Sequence, residues 1–519
     1  MRYLNRMNFR KLINSSKRYP PGELLYKVLE KLHAPYRDYP TVCGRYLPTD
    51  EELQKQRQEQ FAYMPLISVI VPAYETDELF LRQMMDSVIA QTYENWELCI
   101  ADASKSEKVA QVIRGDYKEE KRIKYRRLAE NRGIPENTNQ GLEMAGGAYI
   151  ALLDHDDVLV PSALYEMVKR INETGADFLY SDEDKASANL GEYLDPHFKL
   201  DFNRELLLGK NYICHLLVVS AELVKKAGGL DARYNGAQDF EFALRCSRYA
   251  KGIEHISKVL YHWRMHAAST AGNTDSKLYA YEAGRRAAED FIHQEGWEGT
   301  VTMANDLGTY HIRYQVPAKL QVALAAWGRP SRVWEKKVYP QICKEMEALG
   351  AEFFWLEGSP FGKEQSNASR DKMAVLEAEI LLLVNRGAKT VGKDSIRFLL
   401  GSLCRPGIAA VGGRTIQKKR VLQCGYWEKD EKYVPRFQGL FYKFKGYYHR
   451  AYLPTETDAV SNDLAVVKTE ALEKAFGKTW TENRKCWESG GLRRWQEACG
   501  KVKALGSRVI AEPAAEIWI

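Results

Sequence analysis

The sequence lacks any apolar run long enough to cross a membrane, and its nine cysteines include no pair with the short spacing of a zinc ribbon. Their odd number and wide spacing exclude a disulfide framework and favour a reducing compartment. The N-terminus also lacks the apolar core of a secretion signal. Together these absences predict a cytoplasmic protein.

An excess of charge of one sign is also missing. The 519 residues contain 75 Lys and Arg against 69 Asp and Glu, and the basic residues are dispersed along the chain. Because this balance gives no extended basic surface, we expect no nucleic-acid partner. The composition does not indicate an oligomeric state.

One basic stretch stands apart from this balance. Between Arg2 and Arg37 the chain has nine Lys and Arg but two Glu, and it includes the amphipathic segment "GELLYKVLEKL". Further on, Thr49 and Glu52 have the spacing of a capping box. Residues 1–62 are therefore predicted to form a basic helical arm. This arm either packs on the body of the protein or lies peripherally on the inner face of an anionic membrane.

The length predicts more than one domain, because a single hydrophobic core rarely serves so many residues. From residue 63 onward, apolar β-branched runs alternate with helical patterns up to about residue 315. This alternation predicts a Rossmann-like α/β domain with a mostly parallel sheet, whose ligands bind at the carboxyl ends of the strands. Asp102 and Asp154 each follow a predicted strand there. We expect these two strands to be neighbours that bring both carboxylates to one crevice.

Residues 316–519 repeat this pattern in a weaker form. "KLQVALAAW" parallels "ISVIVPAY", and "AEILLLVNRGAK" parallels "AYIALLDHDDVL". Because the matches occur in the same order, they predict a second α/β domain that arose by divergent duplication.

The segment "LLDHDD", Leu152 to Asp157, contains three aspartates within four residues. Crowded carboxylates repel one another unless a divalent cation binds between them, and such a cation keeps positions open for phosphate oxygens. One aspartate can serve as a helix cap or in an Asx turn, but three exceed that need. The segment therefore predicts a Mn²⁺ or Mg²⁺ site.

Together, "ISVIVPAYE", "SVIAQTYENWELCIADAS", "AGGAYIALLDHDD" and "GAQDFEFALR" resemble the motifs of family 2 glycosyltransferases with the GT-A fold. "YSDEDK" and "YHWRMHAAST" further resemble a bacterial subgroup that builds surface polysaccharides such as O-antigen. The resemblance implies an inverting, metal-dependent transfer of a sugar. The implied donor is a nucleotide diphosphate sugar, with UDP or dTDP, and the implied acceptor is a lipid-linked or growing cell-surface glycan.

The resemblance also implies how the donor is bound. Tyr74 would stack on the nucleotide base and Glu75 would lie beside the ribose. Asp102 would accept a hydrogen bond from the base, although Ala103 replaces a second aspartate that the family often has. The implied donor-binding residues are Pro72, Tyr74, Glu75, Asp102, Arg132 and Asp154.

The same resemblance implies which residues bind the metal ion and which residue acts as the base. Asp156 would bind the cation with Asp154 and Asp157 in support. His266 would be a further ligand, with His262 as the competing candidate. Asp239 would be the base that takes the proton from the acceptor hydroxyl, and the neighbouring Gln238 replaces a glutamate that is more common in the family.

On the acceptor side, the resemblance points to Trp263 and to the carboxylates of "YSDEDK". Those carboxylates, Asp182, Glu183 and Asp184, either line the sugar or acceptor pocket or form a solvated acidic loop. The Q-x-x-R-W signature of processive synthases is absent, which argues against a polymerase acting alone.

The second half lacks the corresponding groups. Alignment by the apolar strands places Asn385 opposite Asp154 and Gly387 opposite Asp156. A weaker alignment places Trp487 opposite Asp239, and Glu357 opposite Asp102. We therefore predict a degenerate GT-A-like domain without catalysis. Its stretch "RFQGLFYKFKGYYHRAY" suits glycan stacking, a membrane face or core packing.

Two other functions compete with this interpretation. A non-catalytic carbohydrate-binding or scaffold protein would not need the aspartates of "LLDHDD" or Asp239. A nucleotidyltransferase would need a glycine-rich basic loop after the first strand, and "VPAYETDE" contains neither glycine nor lysine.

Overall fold

The computed structural model describes residues 19–266, 278–355, 378–477 and 492–519. These residues form an N-terminal helical arm and two mixed nine-stranded sheets, each packed against helices. No helix in the described ranges has both the length and the apolar character needed to span a bilayer.

The helices of the arm and first domain are α1 (Pro21–Leu32), α2 (Tyr39–Val42), α3 (Asp50–Gln58), α4 (Glu78–Ile89), α5 (Lys108–Asp116), α6 (Ile134–Leu142), α7 (Ala163–Thr174), α8 (Arg204–Gly209), α9 (Ala221–Ala227), α10 (Gln238–Tyr249) and α11 (Leu278–Gln294). The strands are β1 (Ile67–Ala73), β2 (Trp96–Asp102), β3 (Ile123–Arg127), β4 (Tyr149–Leu152), β5 (Val158–Leu159), β6 (Phe178–Ser187), β7 (Tyr193–His197), β8 (Leu217–Ser220), β9 (Ile253–Met265), β10 (Gly299–Met303) and β11 (Tyr310–Tyr314).

The second domain contains helices α12 (Tyr339–Ala348), α13 (Ser395–Leu403), α14 (Thr469–Phe476) and α15 (Leu492–Ala504). Its strands are β12 (Gln321–Trp327), β13 (Glu352–Trp355), β14 (Ile380–Asn385), β15 (Thr390–Val391), β16 (Ile408–Gln417), β17 (Arg420–Gln423), β18 (Tyr426–Lys429), β19 (Lys432–Pro435), β20 (Thr455–Glu456), β21 (Leu464–Lys468) and β22 (Arg508–Trp518).

The first sheet has the strand order β3-β2-β1-β4-β8-β6-β9-β5, with β7 paired to β6. Strands β3, β2, β1 and β4 are parallel, and β8 runs antiparallel to β4 and β6. The expectation that the strands before Asp102 and Asp154 are neighbours is wrong, because β1 lies between β2 and β4. Both aspartates still lie at the carboxyl edge of the parallel strands.

The second sheet repeats this topology in eight of its nine strands: among the described residues β3 has no counterpart there, and the extra strand β20 pairs with β22. Its order is β13-β12-β14-β21-β16-β22-β15, with β17 paired to β16, and each pair keeps the parallel or antiparallel sense of its counterpart. Ile67 pairs with Tyr149 in the first sheet, and Val322 pairs with Ile380 in the second. Asp154 follows Tyr149 by the same number of residues as Asn385 follows Ile380, so the two residues are equivalent, in agreement with the sequence alignment.

A buried ion pair joins the two domains. Glu205 on α8 and Arg405, which follows α13, are each 3% exposed, and their side chains approach to 2.8 Å. Arg508 at the start of β22 also lies 3.3 Å from Glu205. The guanidinium of Arg405 lies 4.1 Å from the ring centre of Tyr314 on β11.

The N-terminal arm packs on the second domain. Tyr26 of α1 stacks on Phe441 with ring centres 5.2 Å apart, and Glu30 accepts a hydrogen bond of 2.6 Å from the Gly446 amide. The predicted capping box of α3 is present. The Thr49 side chain accepts a hydrogen bond from the Glu52 amide, and the Glu52 side chain accepts one from the Thr49 amide.

Candidate active site

The aspartate-rich turn connects β4 to β5, and Asp157 anchors it. This carboxylate is fully buried and accepts hydrogen bonds from the Tyr261 hydroxyl at 2.6 Å and the Arg264 amide at 2.7 Å, both on β9. Burial raises the pKa of Asp157 well above its usual value, and the charges of Asp156 and Asp154 add to this effect. Asp157 therefore anchors the turn to β9.

Asp156 and Asp154 extend from this turn. Asp156 Oδ2 lies 2.6 Å from His266 Nε2, at the end of β9. Asp154 is 49% exposed, but protein atoms surround its carboxyl closely enough for desolvation to raise its pKa, and the charges of Asp156 and Asp239 add to this. Negative charge thus accumulates at the position where a cation is predicted.

The structure distinguishes between the two histidines proposed as metal ligands. His262 is 5% exposed, and its Nδ1 lies 2.5 Å from Asp184, beneath the ring of Tyr193. His266 instead contacts Asp156. The geometry therefore favours His266 as the ligand.

The sequence analysis did not identify His215, which precedes β8. Donor atoms of Asp154, Asp157 and His215 all lie within 4.8 Å of one another, a spacing that suits a shared cation. The His215 ring stacks on Tyr261 with centres 4.5 Å apart and meets Trp263 edge-on at 5.9 Å. Trp263, predicted on the acceptor side, is thereby placed beside this cluster.

Asp239 lies in the first turn of α10, where the helix dipole favours a carboxylate. Its Oδ2 accepts a hydrogen bond of 2.8 Å from Asn211, and the Cys214 thiol lies 3.8 Å away. The next residue after Cys214 is His215, whose Nε2 lies 4.0 Å from Asp154 Oδ2, so the Cys214–His215 segment contacts both carboxylates.

The predicted donor side begins where β1 ends. Pro72 lies within β1, and the following Tyr74 is 41% exposed, so its ring face is open to a base. Glu75 accepts hydrogen bonds from the Lys105 amide and from the amide and hydroxyl of Ser106, which lower its pKa. Glu75 therefore holds the loop after β2 in place, and its contact with a ribose stays a prediction.

Asp102 is more enclosed than expected. It is fully buried, and its oxygens accept hydrogen bonds from the Ser104 amide, the Tyr125 hydroxyl and Arg127. A base N–H would have to share an oxygen with these donors.

Arg132 is placed in a different setting. It is 66% exposed and pairs with Glu130 at 2.6 Å. Its phosphate or sugar contact stays a prediction.

The carboxylates of "YSDEDK" lie in the buried strand β6, so the alternative of a solvated acidic loop is wrong. Each pairs with a different histidine: the pairs are Asp182 with His255 at 2.8 Å, Glu183 with His197 at 3.4 Å, and Asp184 with His262 at 2.5 Å. Burial opposes the ionisation of Glu183, yet Lys199 and His197 hold its pKa at about 2. These carboxylates are buried and support neighbouring strands, and their contact with a sugar or acceptor stays a prediction.

The second copy of the cleft carries different groups. Asn385 donates a hydrogen bond of 2.9 Å to Asp463, and by strand register Asp463 occupies the position of His215. Asp463 also accepts hydrogen bonds from Thr415 and Ser461. Neutral donors thus satisfy its carboxylate. The counterparts proposed at Glu357 and Trp487 lie outside the described residues.

The comparison with known proteins agrees with this geometry. Residues 68–226 match the family model described as Glycosyl transferase family 2. Residues 68–226 are thus a glycosyltransferase family 2 domain within the first α/β domain. This match confirms the predicted family for that part of the chain.

Two relatives match much of the chain, beyond the glycosyltransferase domain. The uncharacterized protein y4gI of Sinorhizobium fredii is 32% identical over 491 residues, which cover 88% of this chain and 53% of that protein. The O-antigen biosynthesis protein RfbC of Myxococcus xanthus is 31% identical over 413 residues, which cover 74% of this chain and 32% of that protein. The chain therefore spans about half the length of these relatives or less.

Among solved structures, S. aureus TarS in complex with UDP matches with a TM-score of 0.35 and 20% identity, covering 44% of this chain and 65% of that one. Mannosyltransferase PcManGT from Pyrobaculum calidifontis, in complex with GDP-Man and Mn²⁺, matches with a TM-score of 0.33 and 14% identity. That match covers 47% of this chain and 79% of the other.

Proposed function

We propose that the protein is an inverting, divalent-cation-dependent glycosyltransferase. It transfers a sugar from a UDP- or dTDP-linked donor to a lipid-linked or growing cell-surface glycan. The observation that carries this proposal is the arrangement of four side chains: Asp156 contacts His266, and the Cys214–His215 segment contacts both Asp239 and Asp154. The name of the Myxococcus xanthus relative, O-antigen biosynthesis protein, supports the choice of acceptor class.

The residues at the turn fit a Mn²⁺ or Mg²⁺ ion. Carboxylate oxygens suit both ions, and an imidazole suits manganese. Asp156 and His266 would hold the ion with Asp154 and Asp157 in support, and it would act as a Lewis acid on the departing diphosphate. Burial raises the pKa of Asp154 and of Asp157, and a bound cation would lower both by favouring the ionised carboxylates.

In this proposal Asp239 performs the proton transfer. Its carboxylate takes the proton from the acceptor hydroxyl while that oxygen attacks the anomeric carbon, and the bond to the nucleotide diphosphate breaks on the opposite face. One displacement of this kind inverts the anomeric configuration. Asn211 fixes the carboxylate by donating to Oδ2, which leaves its orientation defined before the acceptor arrives.

Metal-dependent donor binding tests the proposal. Mn²⁺ together with UDP or dTDP is expected to raise the unfolding temperature, because a ligand at one hundred times its Kd adds about 2.7 kcal/mol of stability. Asp156→Ala is expected to weaken nucleotide binding at least about tenfold, since it removes a ligand of the ion. Thermal shift and calorimetric titration with UDP, dTDP and GDP provide the measurement.

Asn385→Ala, at the matching site of the second copy, is the control and is expected to leave nucleotide binding unchanged. A shift of equal size in EDTA, or wild-type binding by Asp156→Ala, would contradict the proposal. Glycan binding without any nucleotide binding would favour the scaffold alternative.

We also propose that helix α1 lies on the inner face of an anionic membrane. The helix is oriented with its charged Lys27 and Glu30 toward the protein, where they contact Asp306 and Gly446. Apolar side chains face outward instead: Leu25 is 57% exposed and Leu32 is 52% exposed. An outward apolar stripe next to a basic segment suits an anionic lipid surface.

Vesicle co-sedimentation checks this orientation. The double substitution Leu25→Glu and Leu32→Glu is expected to reduce binding to phosphatidylglycerol vesicles about tenfold or more. It removes apolar area that would be buried in the lipid, and the new carboxylates repel the anionic headgroups. Leu505→Glu changes a leucine that is 60% exposed in the second domain and is expected to bind as the wild type does. Equal binding of all three proteins, or equal binding to neutral vesicles, would refute membrane contact through α1.

A further inference from the structure

The second domain reaches the first through a docking segment, residues 447–450. The ring of Tyr448 lies flat on His197 of β7, with ring centres 3.7 Å apart and planes 5° apart. Its hydroxyl donates a hydrogen bond of 3.0 Å to the carbonyl of Asp195. Beside it, His449 Nδ1 lies 3.2 Å from Lys210 Nζ. The docking segment thus covers two buried groups of the first domain.

The first of these groups leads to His215. His197 Nδ1 lies 3.4 Å from Glu183, and the other oxygen of Glu183 accepts a hydrogen bond of 3.1 Å from the His215 amide. Lys199 donates to the His215 carbonyl, so Glu183 and Lys199 hold both backbone groups of His215. This clamp places His215 Nε2 4.0 Å from Asp154 Oδ2.

The second group leads to the proposed base. Lys210 lies between the docking segment and Asn211, with its ammonium 5.2 Å from the ring centre of Tyr448. The next residue, Asn211, donates the hydrogen bond that fixes Asp239. Two neighbouring residues of the second domain therefore begin chains of contacts that end at the carboxylates. Tyr448 reaches Asp154 through His197, Glu183 and His215. His449 reaches Asp239 through Lys210 and Asn211.

The backbone along this contact adopts strained conformations. Four non-glycine residues have positive φ: Asp195 at 46°, Cys214 at 42°, Tyr448 at 50° and His449 at 69°. Residues with side chains adopt this region at a cost, and the conformation persists where surrounding packing enforces it. Both sides of the domain contact and the residue before His215 are thus constrained by their local packing.

We propose that the second domain positions the acceptor side of the transferase site, and that Tyr448 acts through His197 and Glu183 on His215. This inference rests on the proposed function of the first domain. It assigns a role to the second domain, in which Asn385 and Asp463 are hydrogen bonded to each other at the position matching Asp154 and His215. Tyr448 is a positioning residue, because it touches neither of the cleft carboxylates in the described contacts.

Removal of the Tyr448 ring tests the coupling. Tyr448→Ala leaves a void over His197 and frees the Glu183 clamp, so kcat for transfer to the acceptor is expected to fall about 10-fold to 100-fold. The Kd for nucleotide is expected to stay within about twofold, because the contacts of Asp156 and His266, the proposed holders of the ion, are unchanged. Tyr448→Phe keeps the ring and is expected to restore most of kcat.

Phe441→Ala is the matched control, since Phe441 lies in the same second-domain stretch but packs on Tyr26 of the arm. It is expected to leave kcat, KM and donor binding unchanged. Transfer by Tyr448→Ala with wild-type kcat and KM would overturn the proposal. A parallel loss of donor binding and transfer, with a lowered unfolding temperature, would also overturn it by showing a general structural role.

Amide hydrogen exchange gives a readout that needs no activity. The His215 amide is bonded to Glu183, so peptides covering residues 211–217 are expected to exchange faster in Tyr448→Ala and at the wild-type rate in Phe441→Ala. If the wild type transfers no sugar from any donor, the proposed function fails, and the exchange rates still decide the coupling. Unchanged exchange in Tyr448→Ala would refute it.

Discussion

Asp239→Asn is expected to lower the rate of sugar transfer by about 10²-fold to 10⁴-fold, the range that a general base contributes. The substitution keeps the size of the side chain and an oxygen that can still accept from Asn211, but it removes the basic electron pair of the carboxylate. Donor binding is expected to persist, because Tyr74 and Asp156 are unchanged. The loss should therefore appear in kcat, with the Kd for nucleotide and metal close to the wild-type value.

A control is available in the same helix. Glu241 also lies in the first turn of α10, but its carboxylate pairs with Arg245 at 2.7 Å. Glu241→Gln is expected to transfer sugar at close to the wild-type rate after any loss of stability is allowed for. Full activity of Asp239→Asn would assign the base to another residue and would remove the main support for a single displacement.

Arg405→Met is expected to destabilise the protein by about 3–5 kcal/mol, since it leaves the buried carboxylate of Glu205 with a weaker partner. Arg508 remains 3.3 Å from Glu205, which places the expected value near the lower end. Although burial opposes ionisation, Arg405 helps to keep the pKa of Glu205 below its usual value. Urea or thermal unfolding of the full chain measures the difference.

The pH dependence of this effect has a definite sign. A carboxylate with a lowered pKa contributes stability above its unfolded pKa, and the contribution is lost as the pH falls through the folded value. The stability gap between the wild type and Arg405→Met should therefore narrow in acid, below the usual glutamate pKa. Arg493→Met breaks an exposed pair with Glu497 and is expected to change stability by less than about 1 kcal/mol. Equal costs for the two substitutions would contradict the role given to Arg405.

Local sequence patterns predicted the strands of the first domain well, because apolar β-branched runs such as β1 are buried on both faces. The correspondence of Asn385 with Asp154 was also predictable, since both follow the equivalent apolar strand. Strand order was not predictable, because the insertion of β1 between β2 and β4 depends on pairing between distant segments. The neighbour relation expected for Asp102 and Asp154 failed for that reason.

Contacts between distant segments also explain why the sequence did not indicate His215 or the burial of the acids in β6. His215 has no acidic neighbour in the sequence, and its partner Asp154 is far away along the chain. For the three carboxylates of "YSDEDK" the sequence left two alternatives open, a sugar or acceptor pocket and a solvated acidic loop. Their histidine partners, which make burial tolerable, come from separate segments of the chain.

The hydrogen bond between Asn385 and Asp463 has a consequence for the history of the duplicated cleft. Asn385→Asp alone would place a second carboxylate where an amide now donates to Asp463, and the two negative charges would repel each other. A return to the aspartate and histidine of the first sheet therefore has to replace Asp463 before Asn385, or both at once. The order of the two substitutions is constrained, because the variant with two facing carboxylates is the unfavourable intermediate.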